Sequence, residues 1–185
     1  MKFHLETERL IMRDLLHTDI DGMFELDSNI EVHKHLGKNP ITTKEQAKDN
    51  IAYIRQQYED HGIGRFAVIE KSSGDFIGWS GIKLNYGDKE VLVDKRDFYD
   101  IGYRFIPRYW GKGYASETSF TTLDYGFTVL NIETMCGAAE VENIASNKVL
   151  QKIGLKYKEQ FPFDGEMINW YELKIEDYGK AMSGM

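Results

Sequence analysis

Six residues near the middle of the chain, Trp110-Gly111-Lys112-Gly113-Tyr114-Ala115, are of the types needed to hold an anion. They lie between a strand-like run that ends at Pro107 and a segment with helical spacing. A helix start exposes N–H groups with no partner inside the helix and carries the positive end of its dipole. Glycines ahead of it let a phosphate approach the backbone, because no Cβ stands in the way. Lys112 adds a charge within reach of the same phosphate. The competing reading is a tight corner with Lys112 in solvent, and the loop alone does not separate the two. It is neither a G-x-x-x-x-G-K-[ST] nor a G-x-G-x-x-G loop, so standard nucleotide fingerprints are absent.

A second strand-to-helix junction follows in "AAEVENIASNKVLQKIGLKY". Asn143, Ser146 and Asn147 supply polar groups there, while Val149, Leu150 and Ile153 form an apolar side. Helix capping by Asn143 or Ser146 explains the polar residues on its own, and capping does not exclude ligand contact. Three carboxylates lie close to the two junctions: Asp100 on the strand before the glycine loop, and Glu140 and Glu142 around the end of the next strand. The competing reading of Asp100 is a solvated strand residue, and that of Tyr103 a packed aromatic. Cys136, the single cysteine, sits in an apolar run and reads as a small core residue rather than a nucleophile. The five histidines form no ligand pattern with it, so no metal site is expected.

Several elements must position these groups. "FHLETERLIMRDL" reads as one opening strand ending near Arg13. "HTDIDGMFELDSN" follows as a helix capped by Thr18 or Asp19. "NPITTKEQAKDNIAYIRQQYEDHG" is a clearer helix, capped by Thr42 or Thr43, with Ala47, Ile51, Ile54 and Tyr58 on one side and Gly62 as the stop. Two β-rich runs flank Ser72-Ser73-Gly74-Asp75, a hairpin signal. "FYDIGYRFI" is the strand before the glycine loop. "YASETSFTTLDYGFTVLN" reads as a helix with Phe120, Leu123 and Phe127 toward a core, and "LKYKEQFPFDGEMINWYELKI" reads as a closing hairpin turning at Asp164-Gly165. This order predicts an α/β sandwich with a mixed, mainly antiparallel sheet of six to seven strands and one parallel crossover.

The chain of 185 residues is sized for one domain, 1–185, with no internal repeat or linker. A net charge of −7 argues against nucleic-acid binding. No apolar run is long enough to span a bilayer, and "MKFHLETERL" lacks a signal peptide's apolar stretch, so a cytoplasmic, membrane-free protein is expected.

Together the two junctions resemble the GCN5-related N-acetyltransferase (GNAT) superfamily, and within it the RimJ/RimL-like ribosomal-protein N-acetyltransferase branch. The family's loop is R/Q-x-x-G-x-G/A followed by a helix. Arg108 to Gly113 matches literally. The register Trp110 to Ala115 is preferred, because it puts Gly113 and Ala115 at the small positions. Trp110 then replaces the usual Arg or Gln. "P-x-Y-W-G-K-G-Y-A-x-E" is the form common in the branch, as are "TERLIMRDL" and "IGWSGI". The second family motif is matched at Asn143, Ser146, Val149, Leu150, Gly154 and Leu155. Many members carry a general-acid Tyr where Leu150 stands.

The resemblance implies acetyl-CoA as co-substrate and transfer of an acetyl group to a primary amine. Gly111, Lys112, Gly113, Tyr114 and Ala115 would take the pyrophosphate, with Trp110 opening the loop and Arg108 beside the other phosphate. Phe105 and Ile106 would line the pantetheine, a backbone N–H near Ile106 would polarise the carbonyl, and Asn143 would bond the pantetheine arm. Asp100 and Glu140 are the candidate bases, and Ser146 would meet the coenzyme sulfur. The acceptor is a protein N-terminus, such as a ribosomal protein's, or a small cationic amine. A homodimer through an exposed strand or helix is compatible with the pattern. The rival is a weak or inactive GNAT-fold module that binds acyl-CoA as a sensor.

Overall fold

The computed structural model describes residues 3–182. In chain order the elements are β1 (His4–Glu6), β2 (Leu10–Arg13), α1 (Ile20–Asp27), α2 (Ile30–His33), α3 (Lys44–His61), β3 (Arg65–Glu70) and β4 (Phe76–Asn85). They continue with β5 (Phe98–Phe105), α4 (Tyr114–Thr128), β6 (Thr134–Glu140), α5 (Ile144–Lys152), β7 (Lys156–Phe163), β8 (Glu166–Lys174) and α6 (Ile175–Met182). The strand order is β1-β2-β3-β4-β5-β6-β8-β7. β5 and β6 run parallel, joined through α4 as the crossover reading requires. The other pairings with assigned register, β1–β2, β2–β3, β3–β4, β6–β8 and β7–β8, are antiparallel. This is the mixed, mainly antiparallel α/β fold expected, with eight strands among the described residues instead of about six to seven.

The extra strand comes from the opening run, which folds back on itself. The Thr7 N–H donates to the Leu10 carbonyl at 2.9 Å, and Thr7 Oγ1 accepts from the Leu10 N–H at 3.0 Å. That turn pairs His4 with Arg13 and Glu6 with Ile11. Two helices were also not expected. α2 is a single turn, started by Asn29, whose Oδ1 accepts from the Glu31 N–H at 2.9 Å. One turn is too short to show a period. α6 follows β8 without a break.

The chain forms two compact units, Met1–Gly81 with Gly102–Thr121, and Ile82–Ile101 with Thr122–Met185. In the first, Leu10 and Met12 on β2, Met23 and Leu26 on α1, Ile51 on α3 and Phe66 and Val68 on β3 are buried. Each side chain of this size contributes about 1.5–3 kcal/mol when fully removed from water. α3 begins with a capping box in which Thr43 and Gln46 satisfy each other's backbone N–H groups, and it ends at Gly62.

In the second unit, Leu123 and Phe127 on α4, Met135 on β6, Leu150 on α5 and Tyr171 and Leu173 on β8 are buried. Here α5 presses closely on β6. A Cβ at Gly137 would lie 2.7 Å from Leu150 Cδ2, so only glycine fits without displacing that leucine. The register is fixed by β6 and β8, which pair from Thr134↔Lys174 to Glu140↔Ile168.

Candidate active site

In the first unit β5 ends at Phe105 and a 3-10 turn, Pro107–Tyr109, leads into the glycine loop. Gly111 has φ +74° and Gly113 φ +84°, values that favour glycine. α4 begins at the next residue, Tyr114, so the position before the helix has no side chain with which to cap it. The first N–H groups of a helix have no partner inside it, and Gly113 brings no side chain to them.

Trp110 explains its own departure from the family pattern. Its indole Nε1 donates to the Phe105 carbonyl at 2.6 Å and ties the loop to the end of β5. Lys112 is about half exposed, lies 4.8 Å above the Tyr109 ring and is 3.9 Å from a Glu70 carboxylate oxygen. Arg108 lies over the same Tyr109 ring at 4.9 Å and forms an ion pair with Glu25. It is exposed, as expected, but its charge already has a partner. The Ile106 N–H itself donates to the Ile77 carbonyl at 3.0 Å and is committed to the sheet, so a backbone donor near Ile106 that polarises a carbonyl would be a neighbouring one.

In the second unit Asn143 is the cap of α5, with Oδ1 accepting from the Ser146 N–H at 3.1 Å. Ser146 is half-buried in the first turn. Glu140 is half-buried at the end of β6, and its carbonyl accepts from the Asn143 N–H at 3.0 Å. Asn147 binds this junction together. Its Nδ2 donates to the carbonyls of Glu140 and Asn143, both at 2.8 Å. Its Oδ1 accepts from Asn169 Nδ2 at 2.9 Å and from the Tyr171 hydroxyl at 2.7 Å. Sequence reasoning named Asn147 but gave it no role. Leu150 is 2% exposed and belongs to the core.

Asp100 also lies in this unit. It stands opposite Cys136 on β6, which stands opposite Glu172 on β8, so the three side chains share one face. Asp100 Oδ1 accepts from Asn85 Nδ2 at 2.7 Å. Glu172 accepts from the Trp170 indole at 2.8 Å. Burial first, and then the nearby charges of Glu172 and Asp100, push the Cys136 thiol up to about 12. Cys136 is thus a protonated core thiol, as its apolar setting suggested. The same face borders a cavity of about 630 Å³ whose walls include Phe98, Trp170, Asp97, Glu133 and Glu172.

Residues 9–156 match the family model for the acetyltransferase (GNAT) domain, and the chain belongs to that family. It is 34% identical over 152 residues to the uncharacterized N-acetyltransferase p20 of Bacillus licheniformis, covering 82% of each chain. It is 25% identical over 159 residues to spermidine N(1)-acetyltransferase of Escherichia coli (strain K12), covering 85% of this chain and 75% of that protein. Among solved structures, a GNAT-family acetyltransferase from Bacillus anthracis superposes with a TM-score of 0.78 at 24% identity, covering 94% of this chain and 99% of that one. The protein is an N-acetyltransferase, and acetyl-CoA is the acetyl donor used by this family.

Proposed function

We propose that the chain, as a single catalytic domain, moves an acetyl group directly from acetyl-CoA to the primary amine of a small cationic acceptor. The observation that carries the coenzyme assignment is the pair of left-handed glycines, Gly111 and Gly113, placed directly before the first residue of α4, Tyr114. Gly111 to Ala115 take the pyrophosphate on backbone N–H groups, with Lys112 adding charge. Phe105 and Ile106 lie along the pantetheine, and Asn143 donates to it through its amide nitrogen, since capping uses only Oδ1. Arg108 takes the other phosphate by exchanging its Glu25 partner.

The acceptor must be a neutral amine before it attacks. Its nitrogen adds to the thioester carbon, the C–S bond breaks, and the nitrogen's proton leaves to a carboxylate or through water. Asp100 is the first candidate for that proton and Glu140 the second. Ser146, in the first turn of α5, hydrogen-bonds the departing sulfur, helped by the helix dipole. Leu150 cannot supply an acid, so the leaving thiolate depends on this help.

A polyamine-like acceptor is supported by the carboxylates Asp94, Asp97, Glu133 and Glu172 around the cavity, which outnumber the cations Lys95 and Arg96 there, by the net charge of −7 and by the likeness to a spermidine acetyltransferase. A protein N-terminus of RimJ/RimL type is the second reading, favoured by the "TERL" and "IGWSGI" runs. An acetyl-CoA-dependent reaction also suits the expected cytoplasmic location. The deciding assay is CoA thiol release with spermidine, spermine and ribosomal-protein N-terminal peptides in parallel. Acceptor-dependent release with the polyamines is expected, and Asp100→Asn should lower kcat about a hundredfold. CoA binding without release for any amine would instead mark an acyl-CoA sensor.

A further inference from the structure

The Thr7–Leu10 run has no part in the chemistry above, yet its polar groups converge on α4. Thr7 Oγ1 donates to Glu117 Oε1 at 2.5 Å, and the Arg9 backbone N–H donates to the same oxygen at 3.1 Å. The Arg9 guanidinium donates to Glu117 Oε2 through Nε at 2.8 Å and Nη2 at 2.5 Å. One carboxylate therefore accepts four hydrogen bonds from a three-residue stretch of chain. Glu117 is tied to the glycine loop as well, because its backbone N–H donates to the Gly113 carbonyl at 3.1 Å. The guanidinium lies 4.4 Å from the centre of the Tyr114 ring and 3.6 Å from where a Cβ on Gly113 would stand. A circuit closes on the far side. The Tyr114 hydroxyl donates to Glu70 at 2.6 Å, and the Lys71 N–H donates to the Arg9 carbonyl at 2.9 Å.

We propose that Thr7, Arg9 and Glu117 form a latch that fixes the first turn of α4 and so holds Gly111–Gly113 in its anion-binding shape. Arg9 has a second effect: it neutralises a carboxylate that otherwise stands one helical turn from the coenzyme's phosphates. These are positioning residues, acting through Gly113 and Tyr114. An ion pair this close to the surface contributes little to global stability, so its consequence falls on the loop. The inference rests on the loop being the coenzyme site.

The test is CoA affinity by calorimetry for the wild type, Arg9→Ala, Glu117→Gln, the combined variant and Gly113→Glu, with melting temperatures alongside. Arg9→Ala should weaken CoA about tenfold, and Glu117→Gln about threefold. The combined variant should bind more tightly than Arg9→Ala, because the uncompensated carboxylate is gone. The loss should appear in KM for acetyl-CoA, with kcat at saturation within about twofold, and it should be the same for 3′-dephospho-CoA. Wild-type affinity in Arg9→Ala and Glu117→Gln, with Gly113→Glu blocked, overturns the latch alone. A loss confined to CoA and absent with 3′-dephospho-CoA overturns it too, making Arg9 a direct phosphate ligand. Unimpaired binding by Gly113→Glu overturns the loop reading and the latch with it. If Arg9→Ala does not fold, Arg9→Lys, which keeps the charge but loses the two-pronged contact, carries the same comparison.

Discussion

The molecule makes the turn from strand to helix twice in the stretch that matters, and it solves the problem in opposite ways. Between β5 and α4 the residue before the helix is Gly113, and no side chain meets the first-turn N–H groups from that position. Between β6 and α5 the corresponding residue is Asn143, which spends its own carbonyl oxygen on the Ser146 N–H. The first junction keeps its donors for something else and must be braced from outside, through Glu117. The second braces itself, through Asn143 and the buried Asn147. A bare helix start suits a large anion that supplies the missing acceptors. A capped start suits a site where side chains, not backbone, make the contact.

The sharpest way to break this contrast is Gly113→Glu. It puts a Cβ on a residue at φ +84° and a carboxylate beside the anion site. CoA affinity should fall about a thousandfold by calorimetry, combining left-handed strain with charge repulsion. Asn147→Ala comes next and should act on stability. It takes the accepting oxygen from the Tyr171 hydroxyl and the Asn169 amide and removes one of the two donors to each of the Glu140 and Asn143 carbonyls, so about 3 kcal/mol should be lost in urea unfolding. A loss under about 1 kcal/mol would mean that the junction does not depend on this side chain.

Asn143 separates cap from contact. Asn143→Ala should cost about 1 kcal/mol of stability as a lost cap. Asn143→Asp keeps the accepting oxygen and loses the amide donor, so stability should hold while KM for acetyl-CoA rises. Equal behaviour of the two variants would remove the pantetheine role.

The smallest expected effect is with pH. Burial pushes the Glu117 carboxyl up, but hydrogen bonds from Thr7 and Arg9 and the Arg9 charge outweigh it and hold the group below its ordinary 4.5. A depressed carboxylate contributes its latch fully above the ordinary value and loses it as pH falls through the folded value. CoA affinity should thus hold down to about pH 4.5 and weaken only below it, and Glu117→Gln should flatten that final decline.

What could be read from the chain divides along the same line. The glycine loop, the Thr43–Gln46 cap and the hairpin turns at Ser72–Asp75 and Asp164–Gly165 depend on neighbours within a few residues, so residue type alone points to them. The split of the opening strand was missed because "ETERL" is polar in a way that fits a strand edge as well as a turn. The role of Asn147 was hidden because its accepting oxygen is met by Asn169 and Tyr171, 22 and 24 positions away. The Arg9–Glu117 contact joins residues 108 apart. The commitment of the Ile106 N–H was not legible because a strand's end looks open until the carbonyl of Ile77 is placed beside it.

The buried thiol of Cys136 has a practical side. It is the only cysteine in the chain, 4% exposed and held protonated far above neutrality. A thiol-specific dye added to the folded enzyme therefore reports the coenzyme's released sulfur with little background from the protein itself. The same dye becomes a clock for opening of the second unit. Cys136 is buried but lines the cavity wall, so its labelling rate reads how often that wall opens at a single, natural position.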